Sequence, residues 1–146
     1  MDGLPPRVRD VLGEHQTLVL ATVDGNGQPE AASVFFASDE AEGGLTLVVA
    51  CLSSSAKLAH LRENPRAGVY IGPQTPSRWV QAECLVTIVE DEAERSRRLA
   101  QLTAATPAAA VFVERVPVTA VLFRVTRLKL TDLTGGQPPV EVVELE

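Results

Sequence analysis

The chain has 146 residues, 45% hydrophobic and 22% charged, a composition that fits one folded domain and excludes a disordered tail, a fibre or a linker. Its longest apolar run, Leu45 to Leu52, is a strand's length and short of the ~20 residues a membrane helix needs. Nineteen acids against thirteen bases give a net charge of −6, which argues against a nucleic-acid partner. The amino-terminal MDGLPPRVRD has no apolar signal core, so the expectation is a cytoplasmic protein with no membrane partner.

The elements are taken in chain order. Pro5 to Gly13 reads as a short helix, with a proline start, apolar Val8, Val11 and Leu12, and a glycine end. Thr17 to Val23 and Pro29 to Ala37 read as strands joined by Asp24-Gly25-Asn26-Gly27, two turn dipeptides in series. After a polar loop from Ser38 to Gly44, Leu45 to Leu52 is apolar throughout and reads as a strand buried on both faces. Ser53 to Ser55 precede AKLAHLREN, a helix with Leu58 and Leu61 on one side, stopped by Pro65. Strands follow at Arg66 to Ile71 and about Arg78 to Val89. Glu92 to Thr103 is helical with Leu99 and Leu102 inward, and a short helix starts at Thr106-Pro107 and ends near Val113.

Val118 to Leu130 closes as a long strand with Val121, Phe123, Val125 and Leu128 inward, a set that needs one irregularity. Val140 to Leu145 is an edge strand or a loose tail. Helices are too few and wrongly placed for alternating βα units, and six or seven strands with hairpin turns favour a small antiparallel barrel. The expectation is a single domain over 1–146, with its core at about 8–131 and a tail at 132–146.

Little side-chain chemistry stands out. Cys51 and Cys84 lie in apolar contexts without metal-ligand spacing and read as buried thiols. His15 and His60 have no partner in sequence. Arg95, Arg97 and Arg98 sit among Asp91, Glu92 and Glu94 and read as a solvated helix face. The segment with site character is Ser53-Ser54-Ser55-Ala56-Lys57, at the junction of a buried strand and a helix. A helix start offers unpaired N–H groups and partial positive charge, and Lys57 adds a full one. Such a start suits a phosphate or carboxylate, although capping alone also explains the serines.

These residues carry a resemblance. LATVDGNGQP at 20–29, VFFASDE, LTLVVACL, SSSAKLAHLRENPRAGVYI and RWVQAECLVTIVED at 78–91 follow one another as in the pyridoxamine 5′-phosphate oxidase-like family of FMN-binding split barrels. The most specific part is Ser55 and Lys57 followed by Asn64-Pro65. The resemblance implies a mainly β fold with flanking helices, a six-stranded antiparallel split β-barrel that pairs into a homodimer. FMN would lie between the two chains, Ser55 and Lys57 would hold its phosphate, and Cys51 would lie beside it. Backbone groups of Ser33, Val34 and Phe35 would face the isoalloxazine. Trp79 would reach the flavin from the neighbouring part of the site, with Arg78 adding positive charge. No side chain offers itself as a general acid or base, which suits a flavin-dependent oxidoreductase.

The sequence also departs from the family enzymes. Ala32, Ala37 and Ala56 stand where they have basic residues, Cys84 stands where many members have glycine, and the end GGQPPVEVVELE lacks their tryptophan and arginine. These differences argue against pyridoxine 5′-phosphate as substrate. They keep open a deazaflavin-dependent reductase on the same fold, or a degenerate non-catalytic ligand-binding dimer. Haem is a weaker alternative, since His60 has no matching ligand pattern.

Overall fold

The turn at Asp24 organises the first strand pair. In the computed structural model, which describes residues 3–145 apart from the side chain of Glu42, β1 (Thr17–Val23) and β2 (Pro29–Asp39) form the expected hairpin. The Asp24 carboxylate accepts the Gln28 and Asn26 N–H groups at 2.9 and 2.8 Å, and Gly27 takes the left-handed conformation at φ +82°. Bonds to the charged form, from Gln28 first, hold the Asp24 carboxyl below its ordinary range.

The remaining elements are α1 (Pro6–Glu14), β3 (Thr46–Leu52), α2 (Ala56–Glu63), β4 (Arg66–Ile71), β5 (Arg78–Ile88), α3 (Glu92–Ala105), α4 (Ala110–Arg115), β6 (Val118–Asp132) and β7 (Val140–Glu144). A 3-10 turn at Pro107–Ala109 precedes α4, so the short helix expected from Thr106 is two pieces. Gly13 does not end α1; the helix runs through it to Glu14 and stops where His15 becomes extended. The strands neighbour one another in the order β3-β2-β1-β4-β5-β6, all antiparallel, and a β3–β6 pairing closes the ring. This is the six-stranded split barrel with flanking helices, and β7 is a seventh, edge strand on β6.

The irregularity in β6 is a β-bulge. Cys84 of β5 lies opposite Val125 and Glu83 opposite Arg127, which leaves Thr126 as the extra residue, its hydroxyl donating to the Glu83 carbonyl at 3.2 Å. The bulge resets the alternation, so Val121, Phe123 and Val125 before it and Leu128 and Leu130 after it all point inward at 0–1% exposure. At the same place β6 changes partner on its other edge, pairing with β3 before the bulge and with β7 after it.

Two apolar clusters hold the fold. One fills the barrel, where α1 contributes Val8, Val11 and Leu12 and α2 contributes Leu58 and Leu61; Leu4 and Leu145 are buried with it. The other lies outside the barrel, where Leu102 and Ala109 cover Ala37, Val48, Ala50 and Val118. Strand β3 is therefore buried on both faces, as its unbroken apolar run predicts: Leu47, Val49 and Cys51 belong to the first cluster, Val48 and Ala50 to the second. Phe36 and Phe123 are fully inside, while Phe35 and Phe112 are partly buried against the outer cluster.

The arginine trio on α3 is not one solvated face. Arg97 pairs with Glu94 at 2.8 Å in the open, but Arg98 is mostly buried and bridges Asp39 of β2 at 3.0 Å and Glu94 at 2.9 Å. Docking of the helix against β2 draws Arg98 inward, which a charge pattern along one helix does not reveal. At the opposite end, Arg7 of α1 reaches Asp132 at 3.4 Å and Glu141 of β7 at 3.1 Å, tying the tail to the first helix. No helix among the described residues is long and apolar enough to cross a membrane.

Candidate functional site

Strands β2 and β3 part company half-way along. They pair only over Phe36–Asp39 with Thr46–Val49. Before Phe36, β2 pairs with β1 alone, and after Val49, β3 pairs with β6 alone. One backbone edge of the Ser33-Val34-Phe35 segment is thus left without a strand neighbour, and so is the facing edge of Ala50-Cys51-Leu52. Unpaired edge groups are donors and acceptors that need partners. Their side chains divide by alternation. Val34 packs against the barrel core, Ser33 is exposed, and Phe35 leans on the outer cluster.

The chain leaves β3 directly into the start of α2, so Ser53 to Lys57 border this opening. Ser53 Oγ meets Thr119 Oγ1 at 2.9 Å, which fixes the segment to the start of β6. Ser55 is the N-cap: its Oγ accepts the Lys57 N–H at 3.1 Å. The capping reading is therefore realised, and the Ser55 hydroxyl proton stays available to a further acceptor. Among the described residues no carboxylate lies within 4 Å of the Lys57 ammonium. Cys51 is buried at 1% exposure, and burial pushes its thiol up, partly offset by the Lys57 charge.

Arg78 and Trp79 are elsewhere. Cys51 lies opposite Thr119 near the start of β6, whereas Trp79 lies opposite Thr131 near its end. Arg78 is taken up in an ion pair with Glu14 of α1. Trp79 packs beside Tyr70 with ring centroids 6.4 Å apart, and its indole N–H donates to Gln81 Oε1 at 3.2 Å. The fold thus brings Ser33, Val34, Phe35, Cys51, Ser55 and Lys57 to one opening and leaves Arg78 and Trp79 at the far end of the same chain.

The outer face between these two places holds residues that the sequence reading missed. Val19, Ala21, Gly68, Tyr70, Gln81 and Lys129 line a shallow cavity of about 460 Å³. Glu83 and Arg127 border it too, and Val19 is 41% exposed there although it is a strand valine. The one available signal was the alternation itself, which puts Val19 and Ala21 on β1 and Gly68 and Tyr70 on β4 on the face opposite the inward set.

Two expectations about substituted positions change. Ala37 is not a vacant cation position in the opening; it is 3% exposed beneath α3, so a base there would start from the outer core. Ala32 is half-buried opposite Leu20, and of the three alanines only Ala56 is exposed. Cys84 points into the barrel beside the bulge, and burial pushes its thiol up to about 12. Among the described residues no group of three or more His, Cys, Asp or Glu side chains is arranged to hold a metal ion.

Comparison with known proteins adds the family. No curated protein matches the chain. Among solved structures, it is similar to a haem binding protein from Mycobacterium smegmatis (TM-score 0.70, 20% identity), covering 97% of this chain and 59% of that one. It is similar to a protein of the pyridoxinephosphate oxidase family related to general stress protein 26, from Clostridium acetobutylicum (TM-score 0.71, 12% identity, 93% and 90% covered). It is also similar to the haem storage protein HutZ from Vibrio cholerae (TM-score 0.69, 18% identity, 84% and 90% covered). At these identities the likeness is one of fold. The sequence profile described as pyridoxamine 5′-phosphate oxidase matches residues 4–133, which hold the whole six-stranded barrel, and the chain belongs to that family.

Proposed function

We propose that the protein binds FMN in the opening between β2 and β3 and works as a flavin-dependent oxidoreductase in a homodimer. The observation that carries this reading is the unpaired backbone edge of Ser33-Val34-Phe35 beside a helix start with an uncompensated lysine. A flavin ring has hydrogen-bonding atoms along one edge and a phosphate on a flexible chain. The opening offers both complements: backbone groups for the ring, and Ser55 and Lys57 for the phosphate. Bound FMN would supply the hydride or single-electron chemistry. The chain's residues would hold and orient it; the apolar surroundings of Val34 and Cys51 would keep water from the ring.

The same geometry supports the dimer. Trp79 and Lys57 are on different parts of one chain, so a site using both takes Trp79 from a second copy. The outer face with exposed Val19 beside Ala21 and Gly68 is a suitable surface for that copy. A deazaflavin in the same opening is the nearest alternative. Haem, the ligand named for two of the similar structures, has less support from these residues. His60 Nδ1 is buried without a hydrogen-bond partner, 3.6 Å from Glu30, Tyr70 donates its hydroxyl to the Pro73 carbonyl, and burial raises the Cys84 thiol.

The test is a visible spectrum of the purified protein after incubation with FMN and desalting. About one retained flavin per chain is expected. A colourless protein overturns the FMN reading, and reduced deazaflavin is then the next ligand to add.

A further inference from the structure

Arg66, Leu85 and Arg124 form one row across three strands. Leu85 of β5 is directly opposite Arg66 of β4 on one side and Arg124 of β6 on the other. Opposite residues in antiparallel strands share a face, with Cα atoms roughly 5 Å apart, so the two arginines start roughly 10 Å apart over an exposed leucine. Leu85 is 38% exposed, and both arginines are exposed. Leu85 also lines two adjoining surface cavities of about 540 and 440 Å³, the first bordered by Arg66 and the second by Arg124.

The charges here are uncompensated. Among the described residues, neither Arg66 nor Arg124 has a carboxylate within 4 Å. The one acid that lines these cavities, Glu83, is engaged with Arg127 at 3.8 Å, and Arg127 also holds Glu144 at 3.3 Å. What sets this pair apart is their register, which puts two cations on either side of one exposed leucine. Pro65, Val86 and Leu122 line the second cavity with Leu85, beside Thr46 and Thr87.

We propose that this row is a binding site for the phosphomonoester of a small ligand with an apolar body. A phosphate concentrates two negative charges and three acceptor oxygens at one centre. Two guanidinium forks can each take two of those oxygens, with one oxygen shared between them, while the body of the ligand lies on Leu85. A dicarboxylate would instead divide its charge between the two arginines, and phthalate tests for that. The site is separate from the opening beside Ser55 and Lys57, because Arg124 is opposite Thr46 at the beginning of β3 and the opening lies past its end. It needs no flavin, and its first cavity shares Ala21, Gly68 and Glu83 with the outer face proposed for the second copy.

The experiment titrates phenyl phosphate into the 15N-labelled full chain and follows backbone amide and arginine Nε–H signals. Saturating shifts are expected at Leu85, Arg66 and Arg124. Arg66→Gln and Arg124→Gln should each weaken binding by about tenfold or more, the loss expected for one charge-assisted contact, and the double variant should abolish the shifts at Leu85. Added salt should weaken binding. Both side chains are exposed, so melting temperatures should stay close to that of the unsubstituted chain, which separates loss of binding from loss of fold. The proposal is overturned if phenol or phthalate shifts Leu85 as strongly as phenyl phosphate, if the double variant retains the affinity, or if Leu85 does not respond.

Discussion

Tyr70 and Trp79 stand side by side on the outer face of β4 and β5, ring centroids 6.4 Å apart and planes inclined at 37°. Gly72 makes this arrangement possible. A Cβ at position 72 would come within 2.5 Å of Trp79 Cβ and 2.9 Å of the Tyr70 hydroxyl, which itself donates to the Pro73 carbonyl at 2.6 Å. Trp79 Cβ is fixed to the backbone and cannot swing aside. Gly72→Ala is therefore expected to destabilise the chain by about 1–3 kcal/mol, the usual cost of overpacking, and to change the emission of its single tryptophan. A melting curve and an emission spectrum check this; an unchanged pair would mean that the loop relaxes freely.

The phosphate role assigned to Lys57 separates two ligands that share a ring. Lys57→Ala is expected to weaken FMN binding about tenfold or more, in line with one charge-assisted contact, and to leave riboflavin affinity nearly unchanged. Fluorescence titration with both ligands reads the difference. Equal losses would place Lys57 away from the phosphate.

Asp39 couples the sheet to α3 in a pH-dependent way. Its carboxylate accepts Gln101 Nε2–H at 2.9 Å, the Ala41 N–H at 2.8 Å and Arg98 at 3.0 Å. These bonds, Gln101's foremost, hold its carboxyl below the ordinary range against the opposing effect of burial. With a depressed folded value the unfolded chain takes up the proton first, so the stabilisation is complete above about pH 4, the unfolded value, and is lost as pH falls through the folded value. Asp39→Asn should have a lower melting temperature than the unsubstituted chain at neutral pH and a shallower decline below about pH 4. Parallel curves for the two proteins would exclude the coupling.

Both thiols are expected to be inert in the folded chain. Cys51 and Cys84 are free, and buried at 1% and 3% exposure. Burial pushes the Cys84 thiol up to about 12, with the Glu83 charge acting in the same direction, and also raises Cys51. Ellman's reagent should therefore report almost no thiol under native conditions at mild alkaline pH and both thiols in denaturant. Rapid native labelling would show that the barrel opens around β3 or β5.

What the sequence by itself determined was local. Alternation placed Val121, Phe123, Val125 and Leu128 on one face and exposed the need for a bulge between the last two; the unbroken run of β3 implied burial on both sides. Asp24 to Gly27 announced the hairpin, and Ser55 announced a helix start, because turns and caps are decided by residues within a few positions of one another. The ordered set of motifs was enough for the barrel and the family. The tertiary structure alone decided where β2 and β3 separate, that Ala37 lies beneath α3 rather than in the opening, and that Trp79 is remote from Lys57 in one chain. It also set Arg66 and Arg124 on either side of Leu85, residues that are far apart in sequence. Each of these depends on cross-strand register and on which face a helix covers. Both are set by the packing of distant segments, and no window of the sequence contains both partners.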